Sequence, residues 1–144
     1  MTYQHTQIGR LMLFATLMTV ILFIFVSQQE KIPFSVFFLE IFIILILFSF
    51  STLQVKIDEA FLSIKFGYGI FKKRFALKEI ISAQSVKNHW YCGWGIRVCP
   101  RPYMWIFNVS GFAAVEIVMK DGKRFRIGTD ESERLETAIK KAIL

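Results

Sequence analysis

Residues Gln54–Ala76 read QVKIDEAFLSIKFGYGIFKKRFA. Val55, Ile57, Phe61, Leu62, Ile64 and Phe66 are interleaved with Lys56, Asp58, Ser63 and Lys65, a period near two that predicts strands with one buried face. Gly67-Tyr68-Gly69 supplies a turn, and Ile70 to Ala76 returns as a third strand bearing Lys72, Lys73 and Arg74. Successive strand residues face opposite ways, so Lys72 and Arg74 share a face and Lys73 takes the other.

Toward the C-terminus the same period predicts strands over Ile80 to Val86, Trp105 to Val109, Val115 to Met119 and Arg124 to Ile127. Asp121-Gly122 between the last two predicts a tight hairpin with positive φ at both turn positions. The chain then changes period. Asp130 with Glu133 makes a capping-box-like start, and Leu135, Ala138, Ile139, Ala142 and Ile143 follow at helical spacing, with Lys140 and Lys141 at the negative end of the helix.

Toward the N-terminus the composition changes instead. The chain of 144 residues is 54% hydrophobic with sixteen phenylalanines, more than a small core needs. Ile8 to Val26 holds one charge, Arg10, and Phe34 to Leu53 holds one, Glu40. Each run is long enough for one crossing of a bilayer core of about 30 Å. A short polar stretch ending in Pro33 separates them, and proline is tolerated at a helix start. The expectation is a two-helix transmembrane hairpin over residues 1–53, with spans at about 8–26 and 34–53, followed by a domain over 54–144. A cleaved signal peptide is the rival reading of the first run, but a single basic residue, Arg10, stands before its uncharged part from Leu11 to Val26 and no small-residue cleavage site follows.

Net charge is +7, and of the 18 basic residues all but Arg10 and Lys31 follow the second run. Lys56, Lys65, Lys72, Lys73 and Arg74 lie soon after it, whereas Lys31 in the connecting loop is offset by Glu30. The positive-inside rule predicts a two-pass protein of the cytoplasmic (inner) membrane with both termini in the cytoplasm. Glu40 is the one acidic residue in either run, a candidate for a helix contact, an oligomer interface or a reach toward water.

Six or seven short antiparallel strands closed by one helix define an α+β chain. Gly93-Trp94-Gly95-Ile96-Arg97, Asn108-Val109-Ser110-Gly111, Val115-Glu116, Asp121-Gly122 and Arg126-Ile127-Gly128-Thr129-Asp130 are the strings on which this segment resembles small bacterial membrane proteins with a pleckstrin-homology-like (PH-like) domain. The resemblance covers Gln54 to Leu144 and implies an antiparallel barrel or sandwich capped by the C-terminal amphipathic helix, in a membrane setting. It brings no activity, because such a barrel serves lipid, peptide and protein contacts alike.

The tract from His89 to Trp105 holds all three tryptophans and both cysteines. Cys92 and Cys99 have neither redox C-x-x-C nor zinc-pair spacing, and His89 brings a metal set to three donors where a structural zinc wants four. Cytoplasmic placement predicts free thiols; a disulfide would go with inverted topology. Neither cysteine has a sequence-evident base, and there is no paired-carboxylate pattern, phosphate loop or H-E-x-x-H, so the expectation is a non-enzyme without cofactors.

One reading puts Trp94 and Trp105 inside the barrel. The other makes Trp90, Tyr91, Arg97, Arg101 and Tyr103 a protruding loop, stiffened by Pro100 and Pro102, that touches a protein or the bilayer. The leading function is a non-catalytic module that recruits or scaffolds an unidentified protein at the membrane, with homo-oligomers possible. The alternatives are recognition of anionic membrane lipids by Lys72, Lys73 and Arg74, or an accessory subunit of a transporter or envelope complex joined through Glu40. Nucleic acid fits poorly, since no binding motif accompanies the charge.

Overall fold

The computed structural model describes residues 3–92, 94–100, 103–109 and 111–144. Its elements are β1 (Tyr3–Ile8), α1 (Arg10–Gln29), α2 (Phe34–Ser49), β2 (Thr52–Ile57), β3 (Phe61–Phe66), β4 (Phe71–Ala76), β5 (Ile80–Lys87), β6 (Gly95–Pro100), β7 (Tyr103–Asn108), β8 (Ala113–Met119), β9 (Arg124–Gly128) and α3 (Ser132–Ile143). The chain is α+β, and its strands form two sheets, β1-β2-β3-β4 and β5-β8-β9-β7-β6.

Alternation builds the first sheet. Leu53, Val55 and Ile57 of β2 and Leu62, Ile64 and Phe66 of β3 are all buried on one face. They meet Val115 and Ile117 of β8, Phe125 and Ile127 of β9 and Phe107 of β7 across the interior. Phe66, Phe75, Phe107 and Phe125 stitch the two sheets together, with Phe75 and Phe125 centroids 4.8 Å apart and Phe66 and Phe107 at 6.3 Å. Several phenylalanines therefore belong to this core and not to the helices. Leu135 and Ile139 of α3 are fully buried, and the helix covers β5 and β8.

Four sequence expectations need correction. The sheets form an open sandwich and not a closed barrel, because the edge strands β4 and β6 do not pair with each other. The second sheet is mixed: β9 returns between β8 and β7 and runs parallel to β7. Asp130 does not cap α3, whose start carries no side-chain cap; its carboxylate is 2.5 Å from His5 Nε2 instead. In the β8–β9 turn only Gly122 has positive φ, at +86°, and the Met119 amide donates to the Lys123 carbonyl, the geometry of a type I turn with a glycine bulge.

The helical pair is built differently from a simple N-terminal anchor. Tyr3–Ile8, counted with the hairpin on sequence grounds, is a strand antiparallel to β2, with Ile8 opposite Thr52 and Tyr3 opposite Ile57. The helices are thus an insertion between two adjacent strands of one sheet. They lie against each other, the Phe23 and Phe37 rings 5.9 Å apart. One of them, α1, is long and apolar enough to cross a membrane. The shorter α2 stops at Ser49 because Phe50 turns into the domain, its ring stacked on Phe71 at 5.0 Å and packed on Phe66 at 5.3 Å.

Candidate functional site: a basic sheet face and an aromatic rim

The outer face of the first sheet is set by the same alternation that buries its inner one. Lys65 stands directly opposite Lys72, and Arg74 is opposite Ser63, one pair further from the helices. Opposed like charges cost stability, so such a pair is a departure from what folding alone favours. No carboxylate forms an ion pair with Lys65, Lys72, Lys73 or Arg74 among the described residues. Arg74 lies over the Phe61 ring at 4.3 Å from its centroid. Lys65, which the sequence places on the polar face of its strand, joins the lipid-facing candidates because folding the Gly67-Tyr68-Gly69 turn back sets it beside Lys72.

Lys73 faces inward. Its Nζ sits 5.3 Å from the Phe125 centroid and 5.9 Å from that of Phe75, a cation over aromatic faces at the open side of the sandwich. The Lys65–Lys72 row is level with Gln54, three residues past Ser51, hence about 10 Å from the end of the helical pair at 3.3 Å per residue.

The tract residues do not converge on one surface. Trp90 is 76% exposed and Tyr91 64%, on a single turn of 3-10 helix at Trp90–Cys92, with Tyr91 stacked on His89 at 5.0 Å. Arg97 is exposed on β6, its Nε donating to the Trp94 carbonyl at 3.0 Å. Tyr103, 65% exposed, begins β7 at the opposite end of that strand from Asn108. Arg101 and Pro102 lie outside the described residues.

Neither Trp94 nor Trp105 fills the core. Trp94 is half-buried in the loop before β6, 6.1 Å from the Phe112 ring, and Trp105 is 38% exposed where the second sheet overhangs the first. The phenylalanines already occupy the interior.

Cys92 and Cys99 are bridged, with Cα atoms 6.3 Å apart, which corrects the expectation of two free thiols. The turn at Trp90–Cys92 folds over the outer face of β6 and β7, so both sulfurs join Met104 and Ile106 in a small second apolar cluster. His89 is engaged with Tyr91, and no metal-ligating group of three or more such side chains forms among the described residues.

The ends of the second sheet nearest this loop also approach the helices. Gly95 pairs with Asn108, Lys87 with Ala113 and Ala114 with Gly128, so the loop bearing Trp90 and Tyr91 and the turn at Phe112 leave from one end. Val109 belongs to that end, and a methyl placed on Gly9 would lie 3.0 Å from its Cβ.

Two further groups are placed by the fold. Glu40, on α2, has a buried Oε1 with no hydrogen-bond partner among the described residues. Tyr3 and His5 of β1 meet Glu131, at 3.4 Å from the Tyr3 hydroxyl and 3.5 Å from His5 Nδ1, fastening the first strand to the start of α3. Sequence patterning gives no signal for this contact, which joins residues more than a hundred positions apart.

No family model, no curated protein and no solved structure matches this chain.

Proposed function

We propose that this chain is a membrane-anchored, non-catalytic module whose PH-like domain is held against the cytoplasmic leaflet and recognises its anionic lipid. One observation carries the reading: α1 and α2 are inserted between hydrogen-bonded neighbours, β1 and β2. A chain that leaves the sheet at Ile8 and returns at Thr52 must come back to where it started. If α1 crosses a bilayer, the segment ending in α2 crosses back, although α2 itself is only about 24 Å long at 1.5 Å per residue. The domain then has no linker on which to swing.

Against a leaflet so placed, Lys65 and Lys72 sit within side-chain reach of the headgroups, and each such charge near an anionic surface contributes about 1 kcal/mol. Arg74 extends the patch one row further out. Phe112, 47% exposed in the turn before β8, adds an apolar side chain at the end of the second sheet nearest the helices.

The loop charges favour the cytoplasm, whereas a Cys92–Cys99 bridge favours an oxidising compartment. Charge has precedence, because it acts on the whole chain during insertion. The two sulfurs share one apolar cluster with Met104 and Ile106, whichever side of the membrane the domain occupies.

The test compares full-length protein with a Lys65→Gln/Lys72→Gln variant, each extracted in mild detergent, counting retained phosphatidylglycerol against phosphatidylcholine by native mass spectrometry. The variant should lose roughly thirty-fold in anionic preference, two charges at about 1 kcal/mol each. Unchanged preference in a variant with unchanged Tm sinks the reading.

A second reading, a docking platform for a protein partner, is favoured by the exposure of Trp90 and Tyr91. Substituting both with serine would then remove a cross-linked partner while leaving lipid retention intact. An accessory role inside a larger membrane complex rests on the unpartnered Glu40 carboxylate oxygen alone.

A further inference from the structure

The sandwich is open along one side, where the edge strand β4 faces β6 and β7 across a cleft of about 260 Å³. Phe66, Phe71, Ile96, Trp105 and Phe107 line it, with Lys73 beside them and Lys72 at its border. Its apolar end is continuous with the helix junction: Phe71 stacks on Phe50, and the neighbouring turn brings Tyr68 to 5.4 Å from Phe48 of α2. Ile70 in that turn is 69% exposed. The cationic end is two residues further along β4, about 7 Å away. Lys73 forms no ion pair there among the described residues and has only the Phe75 and Phe125 rings beneath it.

We propose that this cleft binds a single-chain anionic amphiphile, a long-chain fatty acid, with the carboxylate on Lys73 and the hydrocarbon running past Phe107 and Phe71 toward the bilayer. Each part of the choice follows from the cleft. Its volume of about 260 Å³ holds part of one hydrocarbon chain, the rest running out toward the bilayer, and has no room for a second. Of the two lysines that line it, Lys73 faces inward and complements one negative charge, while Lys72 stands on the outer face. Its mouth opens where the helices end, so the ligand need not cross water to enter. The proposal rests on the reading that the domain lies against a membrane, but not on Lys65, which is outside the cleft; Lys72 borders it while sharing the outer face with Lys65.

Trp105 reports occupancy directly. It is four residues from Val109 at the helix junction, about 13 Å along the strand, beyond contact with chains that stay in the bilayer plane. The experiment uses full-length protein carrying Trp90→Phe and Trp94→Phe, reconstituted in phosphatidylcholine vesicles, with Trp105 as the remaining tryptophan. Dibromostearic acid should quench Trp105 emission, and unbrominated oleate should restore it. Dibrominated phosphatidylcholine of equal bromine content should leave it unchanged.

Lys73→Met, which keeps the aliphatic stem, should weaken the response about tenfold, the loss of one charge-assisted contact. Ile96→Phe, which fills the cleft without adding an indole, should abolish it. Absence of quenching by the brominated acid overturns the proposal. So does equal quenching by the brominated phospholipid, which would place Trp105 among bilayer chains, and so does a Trp105 shift that follows only self-association, which would make the cleft a contact between copies. Loss of phosphatidylglycerol preference in a Lys65→Gln protein, whose substitution lies outside the cleft, with quenching retained leaves the cleft assignment standing, and retained preference without quenching removes the cleft alone.

Discussion

The Gly9 amide donates to the Ser51 carbonyl at 2.6 Å, joining the residue before α1 to a residue just after α2. This bond, with the Gly67 amide donating to the Thr52 carbonyl at 3.0 Å, makes the junction between helices and sheet a packed structure and not a hinge. Ser49 and Ser51 are buried within it.

Two glycines should therefore be intolerant in a definite order. A methyl at Gly9 would meet the Ser51 oxygen and the Val109 Cβ at 3.0 Å and the Phe50 oxygen at 3.1 Å, so Gly9→Ala should cost about 1–3 kcal/mol through overpacking. Gly67 has φ +46°, and a Cβ there would overlap the Ser49 backbone. Gly67→Ala should cost more than Gly9→Ala, adding about 1–2 kcal/mol for the left-handed backbone. Thermal unfolding in detergent gives the ranking; equal Tm values for both variants and the parent would contradict a rigid junction.

Tyr3 ties alkaline stability to the first strand. Burial, and then the Glu131 carboxylate beside it, push its hydroxyl up from 10.0 to about 12. Because the folded value is the higher one, this group's contribution is complete below pH 10 and is lost as pH climbs through 12. Tyrosinate absorbance should show a step near pH 12 that Tyr3→Phe removes, and the variant should lose stability less steeply over that window. A Tyr3→Phe titration identical to the parent's would show that β1 does not dock on α3.

Arg126 and Glu116 form a largely buried ion pair at 3.6 Å between β9 and β8, longer than a hydrogen bond, and Arg126 also donates to the Asn88 side-chain oxygen at 3.3 Å. Arg126→Ala leaves Glu116 with only the more exposed Arg124, 4.0 Å away, and should cost about 2 kcal/mol, less than the roughly 3–5 kcal/mol of a buried charge left alone. Pairing Arg126→Met with Glu116→Leu should recover most of that loss, because an apolar pair needs no desolvation. Denaturant midpoints for the single and double variants decide it; a double variant no better than the single would mean that Arg126 acts through Asn88.

Membrane orientation has a direct readout at Leu144. A C-terminal green fluorescent protein fusion should be bright and an alkaline phosphatase fusion inactive. An active phosphatase fusion with a dark fluorescent protein fusion would put the domain outside, the side on which a Cys92–Cys99 bridge is ordinarily found.

Much of the fold is written in local pattern. The alternation in β2 and β3 and the stripe of Leu135 and Ile139 on α3 are periodicities over a few residues, and a period identifies which face must be buried whatever buries it. The opposed faces of Lys72 and Lys73 follow from the same rule, as do the two apolar runs that became α1 and α2.

What the period cannot carry is partnership across the chain. Tyr3–Ile8 reads YQHTQI, without an apolar face, and becomes a strand because β2 offers it an open edge some fifty residues later. The pairing of β9 with β7, the diversion of Asp130 from α3 to His5, and the meeting of Cys92 with Cys99 are likewise contacts that local propensity does not encode. Trp105 shows the difference most plainly. Its strand was legible, but whether the indole faced a filled core or an open cleft depended on where the first sheet ended, and the packing of Phe66, Phe75, Phe107 and Phe125 decided that.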